Sequence, residues 1–327
     1  MTFPDPWTVL LVGTVALLVA GALAPLETLG WWAGWFGEEG GRDPDPDVPK
    51  NDAACYVVFL SGIHTVSGVS FARRERVLLD RLMTELRDAE ILEVFPYSVT
   101  DRPLTGQRTF ARFWRWALAR KLSKRQLAGL AGMLINIRNG WQVAVSADRR
   151  YGPMYDAGSA DLLAQRLRSA GYRPGSGVPV VLIGYSGGGQ IALGAARPLA
   201  TRLGVSPTVL SLGGVMASPR TLEGLHRVVH ARGRRDAVAR LSTIAFPGRW
   251  PFVRWSSWNR AKRSGLVTVA DMGPMDHTGR DGYMDAERHL RDGRSYLDAT
   301  VDLIASVVEG EEPRGTAARA RAAPHPS

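Results

Sequence analysis

The residues best suited to covalent chemistry sit in Gly184-Tyr185-Ser186-Gly187-Gly188. A serine hydroxyl becomes a nucleophile when a base takes its proton and an acid orients that base. A G-x-S-x-G string alone is weak, because chance matches are common; its setting gives it weight. Residues 178–185 form a continuous apolar run, the mark of a strand buried on both faces, and 190–203 has the pattern of a helix. A serine at such a strand-to-helix turn is held in a strained backbone that exposes its Oγ. Gly184 and Gly188 leave the room that side chains two before and two after it would fill. The Gly187 N–H then points at a developing oxyanion from the positive end of the following helix. The rival readings are a glycine-rich turn with an incidental serine and a phosphate-binding loop. The second lacks the lysine of G-x-x-x-x-G-K-[S/T] and an acid at dinucleotide-site spacing.

The histidines after Ser186 are His226, His230, His277, His289 and His325. His277 lies in a loop just after the strand pattern at 266–270. His226 and His230 fall within a strand pattern at 225–230, His289 in a helical stretch and His325 in the tail. Between Ser186 and His277 the acids are Glu223, Asp236, Asp271 and Asp276. Asp236 follows the 225–230 strand and a turn over 231–235. Asp276 adjoins His277, and chain neighbours seldom orient each other's side chains. Asp271 is the reserve choice, and Glu223 reads as a solvated charge on a helix beginning near Ser218-Pro219. A second oxyanion donor is expected from the turn after the first strand, with the Ile63 N–H in Ser61-Gly62-Ile63 the best candidate. His64 either lines the pocket or faces water. Tyr151-Gly152-Pro153-Met154-Tyr155 is either a pocket wall or a turn.

The elements that must position these groups alternate. Strand patterns appear at Cys55–Leu60, within 93–99, at 178–185, at Thr208–Leu212, at 225–230 and at 266–270. Amphipathic helices are expected at 71–86, 159–170, 190–203 and 297–308. Strands alternating with helices give an α/β fold: a mostly parallel sheet with helices on both faces and ligands at the carboxyl ends of the strands.

On Gly184-Tyr185-Ser186-Gly187-Gly188, the Ser61-Gly62-Ile63 turn and the order Ser, Asp, His, the chain resembles the α/β-hydrolase family over about residues 53–308. The resemblance implies an eight-stranded, mostly parallel sheet, an acid after the seventh strand and a histidine after the eighth. It implies Ser186 as nucleophile, His277 as base, Asp236 as its acid, and Gly187 and Ile63 as oxyanion donors. The expected substrate is a carboxylic ester or thioester, small or lipid-derived, cleaved through an acyl-enzyme with no cofactor or metal. Acyl transfer and peptide cleavage use the same groups. The competing reading is a non-catalytic, membrane-bound interaction protein of the same fold; the intact Ser, Asp, His order counts against it.

The chain has 327 residues, 45% of them hydrophobic and 22% charged, enough for one large domain with appendages. The lone cysteine, Cys55, excludes an internal disulfide and reads as a core residue. Residues 7–26 carry no charge, and at about 1.5 Å per residue such a helix spans a bilayer. No basic n-region precedes them, so an uncleaved single-pass anchor over 1–30 is expected rather than a signal peptide. Trp31, Trp32, Trp35 and Phe36 suit the membrane interface, and residues 31–52 read as an interfacial segment and linker. Arg42 and Lys50 tilt the expectation toward a cytoplasmic domain. The tail, 309–327, has the composition of a disordered segment.

The net charge of +10 is concentrated: residues 102–150 hold eleven arginines and lysines against Asp148 alone. Within this insertion Phe110, Phe113, Trp114, Ala117 and Leu118 mark one face of a helix whose other side is arginine-rich, and a nearly apolar stretch follows at 127–137. The pair either packs on the sheet with a solvated basic face or touches anionic lipid. Nucleic acid is the least favoured partner, since none of its recognition motifs is present.

Overall fold

In a computed structural model of the chain, the described residues are Asp5, 52–64, 73–97 and 127–311. The expected anchor, the Trp31–Phe36 aromatics, most of the linker, the amphipathic helix around 110–118 and the tail beyond 311 lie outside them. Among the described residues no helix is long and apolar enough to cross a membrane.

Six strands form one sheet: β1 (Cys55–Leu60), β2 (Ala89–Val94), β3 (Val180–Tyr185), β4 (Thr208–Leu212), β5 (Arg227–Arg232) and β6 (Val267–Asp271). Their order is β2-β1-β3-β4-β5-β6, and every neighbouring pair is parallel. The eight strands that the resemblance implies are therefore six among the described residues. β1, β3 and β4 are buried along their whole length. That explains their unbroken apolar sequences, since both pleat faces lie under helices.

Seven helices frame the sheet among the described residues: α1 (Arg73–Glu85), α2 (Leu127–Ala147), α3 (Gly152–Ser169), α4 (Gly187–Leu203), α5 (Ala237–Ala245), α6 (Ser257–Arg263) and α7 (Tyr296–Val308). Tyr56, Val58 and Leu60 of β1 share one core with α2, α3, α4 and α6. Val57 and Phe59 face the other core, built with α1 and α7. Alternate residues of one strand thus feed two hydrophobic layers, as the two-residue period of a strand requires.

Several boundaries differ from the sequence expectations. β2, Ala89–Val94, lies earlier than the short strand expected within 93–99. All of Ala89–Val94 pairs with β1, and Pro96, which has no N–H to donate, lies beyond the ladder. β5 is displaced two residues toward Asp236. α3 begins at Gly152, so Tyr151 to Tyr155 form a helix start; Tyr155 is buried and its hydroxyl donates to the Pro96 carbonyl at 2.7 Å. Glu223 stands in a turn closed by Gly224 at φ 84°, not on a helix. His289 makes an isolated bridge to Ser295 instead of lying in a helix.

Candidate active site

β3 ends at Tyr185 and α4 begins at Gly187, leaving Ser186 alone at the joint. Ser186 has φ 54° and ψ −122°. Among the described residues it is the one non-glycine with positive φ. Such a conformation costs on the order of 1–3 kcal/mol and persists only where the surroundings over-determine it. Here the Ser186 N–H donates to Leu212 O at 3.0 Å, and its carbonyl accepts from Gly189 N at 3.1 Å and Val215 N at 3.2 Å. The glycines are required by close approach. A Cβ on Gly184 would lie 2.5 Å from Gly188 O, and one on Gly188 would lie 2.4 Å from Leu60 O. Gly188 therefore makes room for the end of β1 rather than for β3.

Residues from three strand ends converge on Ser186. Its Oγ lies 2.9 Å from His277 Nε2. His277 Nδ1 lies 3.0 Å from Asp236 Oδ2 and 3.1 Å from Oδ1. Ser186, Asp236 and His277 are all buried. Asp236 follows β5, the penultimate strand, and His277 follows β6, the last, the relative positions implied by the resemblance. Asp271 lies elsewhere, in an ion pair with Arg234 at 2.7 Å. Asp276 caps its own neighbour, accepting from His277 N at 2.6 Å.

Asp236 is saturated with donors. It caps α5 by accepting from Ala239 N at 2.7 Å, and the Tyr283 hydroxyl donates to it at 2.5 Å. Burial alone would raise its pKa, but these hydrogen bonds and the one with His277 outweigh burial and hold the carboxyl below its ordinary range. Burial and the Asp236 charge push the Tyr283 phenol well above its usual value, so it stays a donor. Tyr185 stacks on the His277 ring at 5.6 Å between centroids, and its hydroxyl donates to the His277 carbonyl at 2.8 Å. The loops carrying acid and base are themselves joined: Met272 N donates to Arg232 O at 3.0 Å, Arg234 N to Gly273 O at 2.7 Å, and Arg235 N to Met275 O at 3.2 Å.

The Ser61-Gly62-Ile63 turn stands beside the turn that carries Ser186. A Cβ on Gly187 would come within 2.7 Å of Ile63 Cγ2 and of Val143 Cγ2 on α2. Three side chains fix this turn. The Tyr97 hydroxyl donates to Ser61 O at 2.8 Å, and Gly62 N donates to Glu75 Oε1 at 3.2 Å, so both ends of one peptide unit are held. Asn139 Nδ2 donates to Ile63 O at 2.7 Å. The peptide unit between these two, which carries the Ile63 N–H, is thereby clamped on both sides. Of the two readings left open for His64, the structure shows the pocket wall: it lines a cavity of about 200 Å³ with Arg73, Arg74, Tyr185 and His277, and its ring lies 3.4 Å from Glu75.

Tyr185, Tyr283, Glu75, Tyr97 and Asn139 are site residues that sequence reasoning missed. Tyr185 alone carried a signal, standing inside the nucleophile string itself.

No protein-family model matches the sequence, and no curated protein matches it. Among solved structures, the crystal structure of a hormone-sensitive lipase from a metagenome library overlaps 95% of this chain and 100% of its own, at 11% identity and a TM-score of 0.41. So loose an overlap decides nothing about activity. What the chain itself displays is a parallel sheet ordered β2-β1-β3-β4-β5-β6, with a strained serine after a central strand, an aspartate after the penultimate one and a histidine after the last. That arrangement is the one the resemblance to the α/β-hydrolase family implies, on six described strands.

Proposed function

We propose that the chain is a serine hydrolase that cleaves carboxylic esters or thioesters through an acyl-enzyme. The observation that carries this reading is the continuous chain of contacts from Ser186 Oγ to His277 to Asp236, at 2.9 Å and 3.0 Å, on a serine held at φ 54°. In the proposed reaction Ser186 Oγ attacks the substrate carbonyl as its proton passes to His277 Nε2. Asp236 holds the imidazolium in orientation and stabilises its charge. The Gly187 and Ile63 N–H groups receive the oxyanion. Collapse of the tetrahedral intermediate expels the alcohol or thiol, which takes the proton from His277. Water, deprotonated by His277, then attacks the acyl-enzyme and releases the acid and Ser186. The apolar 7–26 segment supports a single-pass tether to the membrane, with the domain on the cytoplasmic side.

The test is covalent. A fluorophosphonate probe is expected to label the wild-type chain once, on Ser186, and p-nitrophenyl esters to be hydrolysed. Ser186→Ala is expected to abolish labelling and lower kcat by about 10⁴-fold or more. Full labelling of Ser186→Ala would show the assignment to be wrong.

A further inference from the structure

The connection from β5 to β6 carries a basic surface studded with exposed apolar side chains. Residues 237–270 contain six arginines and lysines and no acid. Arg249 turns inward, its guanidinium 4.3 Å from the Trp258 ring and bonded to Met216 O and Ser242 Oγ. Arg240, Arg254, Arg260, Lys262 and Arg263 are exposed, and none is in an ion pair among the described residues. Arginines elsewhere, such as Arg76, Arg81, Arg202 and Arg294, pair with carboxylates.

Among these cations stand large apolar side chains facing water. Leu241 is 59% exposed, Ile244 68%, Phe252 67% and Trp255 72%. They are not scattered. Leu241 and Ile244 share one face of α5, at i and i+3. Trp250 donates from its ring nitrogen to Ile244 O at 3.0 Å, and its ring lies 5.3 Å from that of Phe252. Nor is the loop loosely held. The amide of buried Asn259 donates to Trp250 O at 2.8 Å and to Val253 O at 3.0 Å. Val253 N closes a turn on Trp250 O at 3.0 Å, and Ser256 N one on Val253 O at 3.1 Å. A buried polar residue thus fixes a loop whose rings point outward, the reverse of what stability alone selects.

We propose that this surface, built on Leu241, Ile244, Trp250, Phe252 and Trp255 and ringed by Arg240, Arg254, Arg260, Lys262 and Arg263, seats the domain on an anionic phospholipid bilayer. Tryptophan and phenylalanine suit the headgroup level, and leucine and isoleucine enter the acyl boundary. The unpaired cations complement acidic headgroups. The aliphatic pair favours lipid over nucleic acid, which rewards stacking rings and charge but not exposed leucine. α5 starts where Asp236 ends the β5 turn, so the surface lies at the strand rim that carries Ser186. Arg249 ties it to Met216, in the loop whose Val215 N–H holds the Ser186 carbonyl. Such seating would present lipid-phase substrates to that rim, yet it does not depend on the hydrolase reading, because no residue of the surface belongs to the proposed catalytic machinery.

The test uses the full chain carrying a polarity-sensitive fluorophore on Phe252→Cys, or on Ser169→Cys at the exposed end of α3 as a control; Cys55 is buried and so is shielded from labelling. Each is reconstituted into vesicles of phosphatidylcholine alone or with phosphatidylglycerol, containing acyl-brominated lipid as quencher. The label at 252 is expected to shift to the blue and be quenched in the phosphatidylglycerol vesicles, while the label at 169 stays unquenched. Combining Arg240→Gln, Arg254→Gln and Lys262→Gln, none of which removes a hydrogen bond described above, is expected to weaken contact on the order of a hundredfold, about fivefold per charge. A label at 252 as wet as that at 169 in both lipids would overturn the proposal. So would equal quenching in both lipids, or a response to a DNA duplex with none to vesicles.

Discussion

At the scale of single residues, the backbone of Ser186 and the polar groups around His277 decide what the site can do. The φ of 54° at Ser186 is retained against a steric penalty that glycine does not incur. Ser186→Gly is therefore expected to raise stability by about 1 kcal/mol, or roughly 2–4 °C in Tm for a domain of this size, while esterase activity disappears. Thermal melts beside ester assays check this, and a lowered Tm would show that the turn is not strained. Asp236 faces a different balance: burial opposes its charge, and donors from His277, Ala239 and Tyr283 more than restore it. Ser186, Asp236 and His277 were legible in the sequence because each must follow a strand, and strands leave runs of apolar residues. Tyr283 and Asn139 were not, because they act across 47 and 76 positions of chain, and a hydrogen bond at such separation leaves no periodic trace.

At the scale of elements, α2 is the piece that completes the Ser61-Gly62-Ile63 turn, the proposed oxyanion donor. Its expected role was to pack on the sheet or touch lipid; the described part packs, with Ile135 and Val143 in the core, and reaches Ile63 through Asn139. Asn139→Ala is expected to leave the Ile63 carbonyl buried without its donor and the adjoining N–H free to drift. We expect kcat to fall on the order of tenfold with KM nearly unchanged, since the lost order matters only when the oxyanion forms. Steady-state kinetics resolve this, and a change confined to KM would assign Asn139 to substrate binding instead. The elements missed in the sequence, α5 and α6, are short, and α5 inverts the usual pattern. It buries Ala239 and Ser242 while exposing Leu241 and Ile244. A reading that assigns apolar residues to the core cannot find a helix that holds them outward.

At the scale of the whole molecule, two hydrophobic layers clamp the sheet, and one buried carboxyl joins the helices of the larger layer. Asp156 on α3 accepts from the Ser146 hydroxyl of α2 at 2.7 Å and lies against α4, where a Cβ on Gly194 would sit 2.3 Å from its Oδ1. Gln190 of α4 donates to the same Ser146 at 3.2 Å. Burial, only partly offset by the Ser146 hydrogen bond, pushes the Asp156 pKa up to about 8. An unfolded aspartate ionises near about 3.9. Between these values the folded chain holds a proton that the unfolded chain has released, so stability is fully present below about pH 4 and falls as pH rises toward 8. Urea midpoints are expected to decline from pH 5 to pH 8 in the wild type and to flatten in Asp156→Asn; an unchanged slope would assign the dependence to other groups. Net charge and composition carried no sign of this, because a buried carboxyl and a solvated one look alike in sequence. The stitching of the acid and base loops beyond the ends of β5 and β6 has a consequence of another kind. Asp236 and His277 ride on one body, whereas Ser186 is anchored to β3, β4 and α4. The geometry of the Asp236–His277 pair is thus set by one group of contacts and its approach to Ser186 by another, with Tyr185 the bridge between the two.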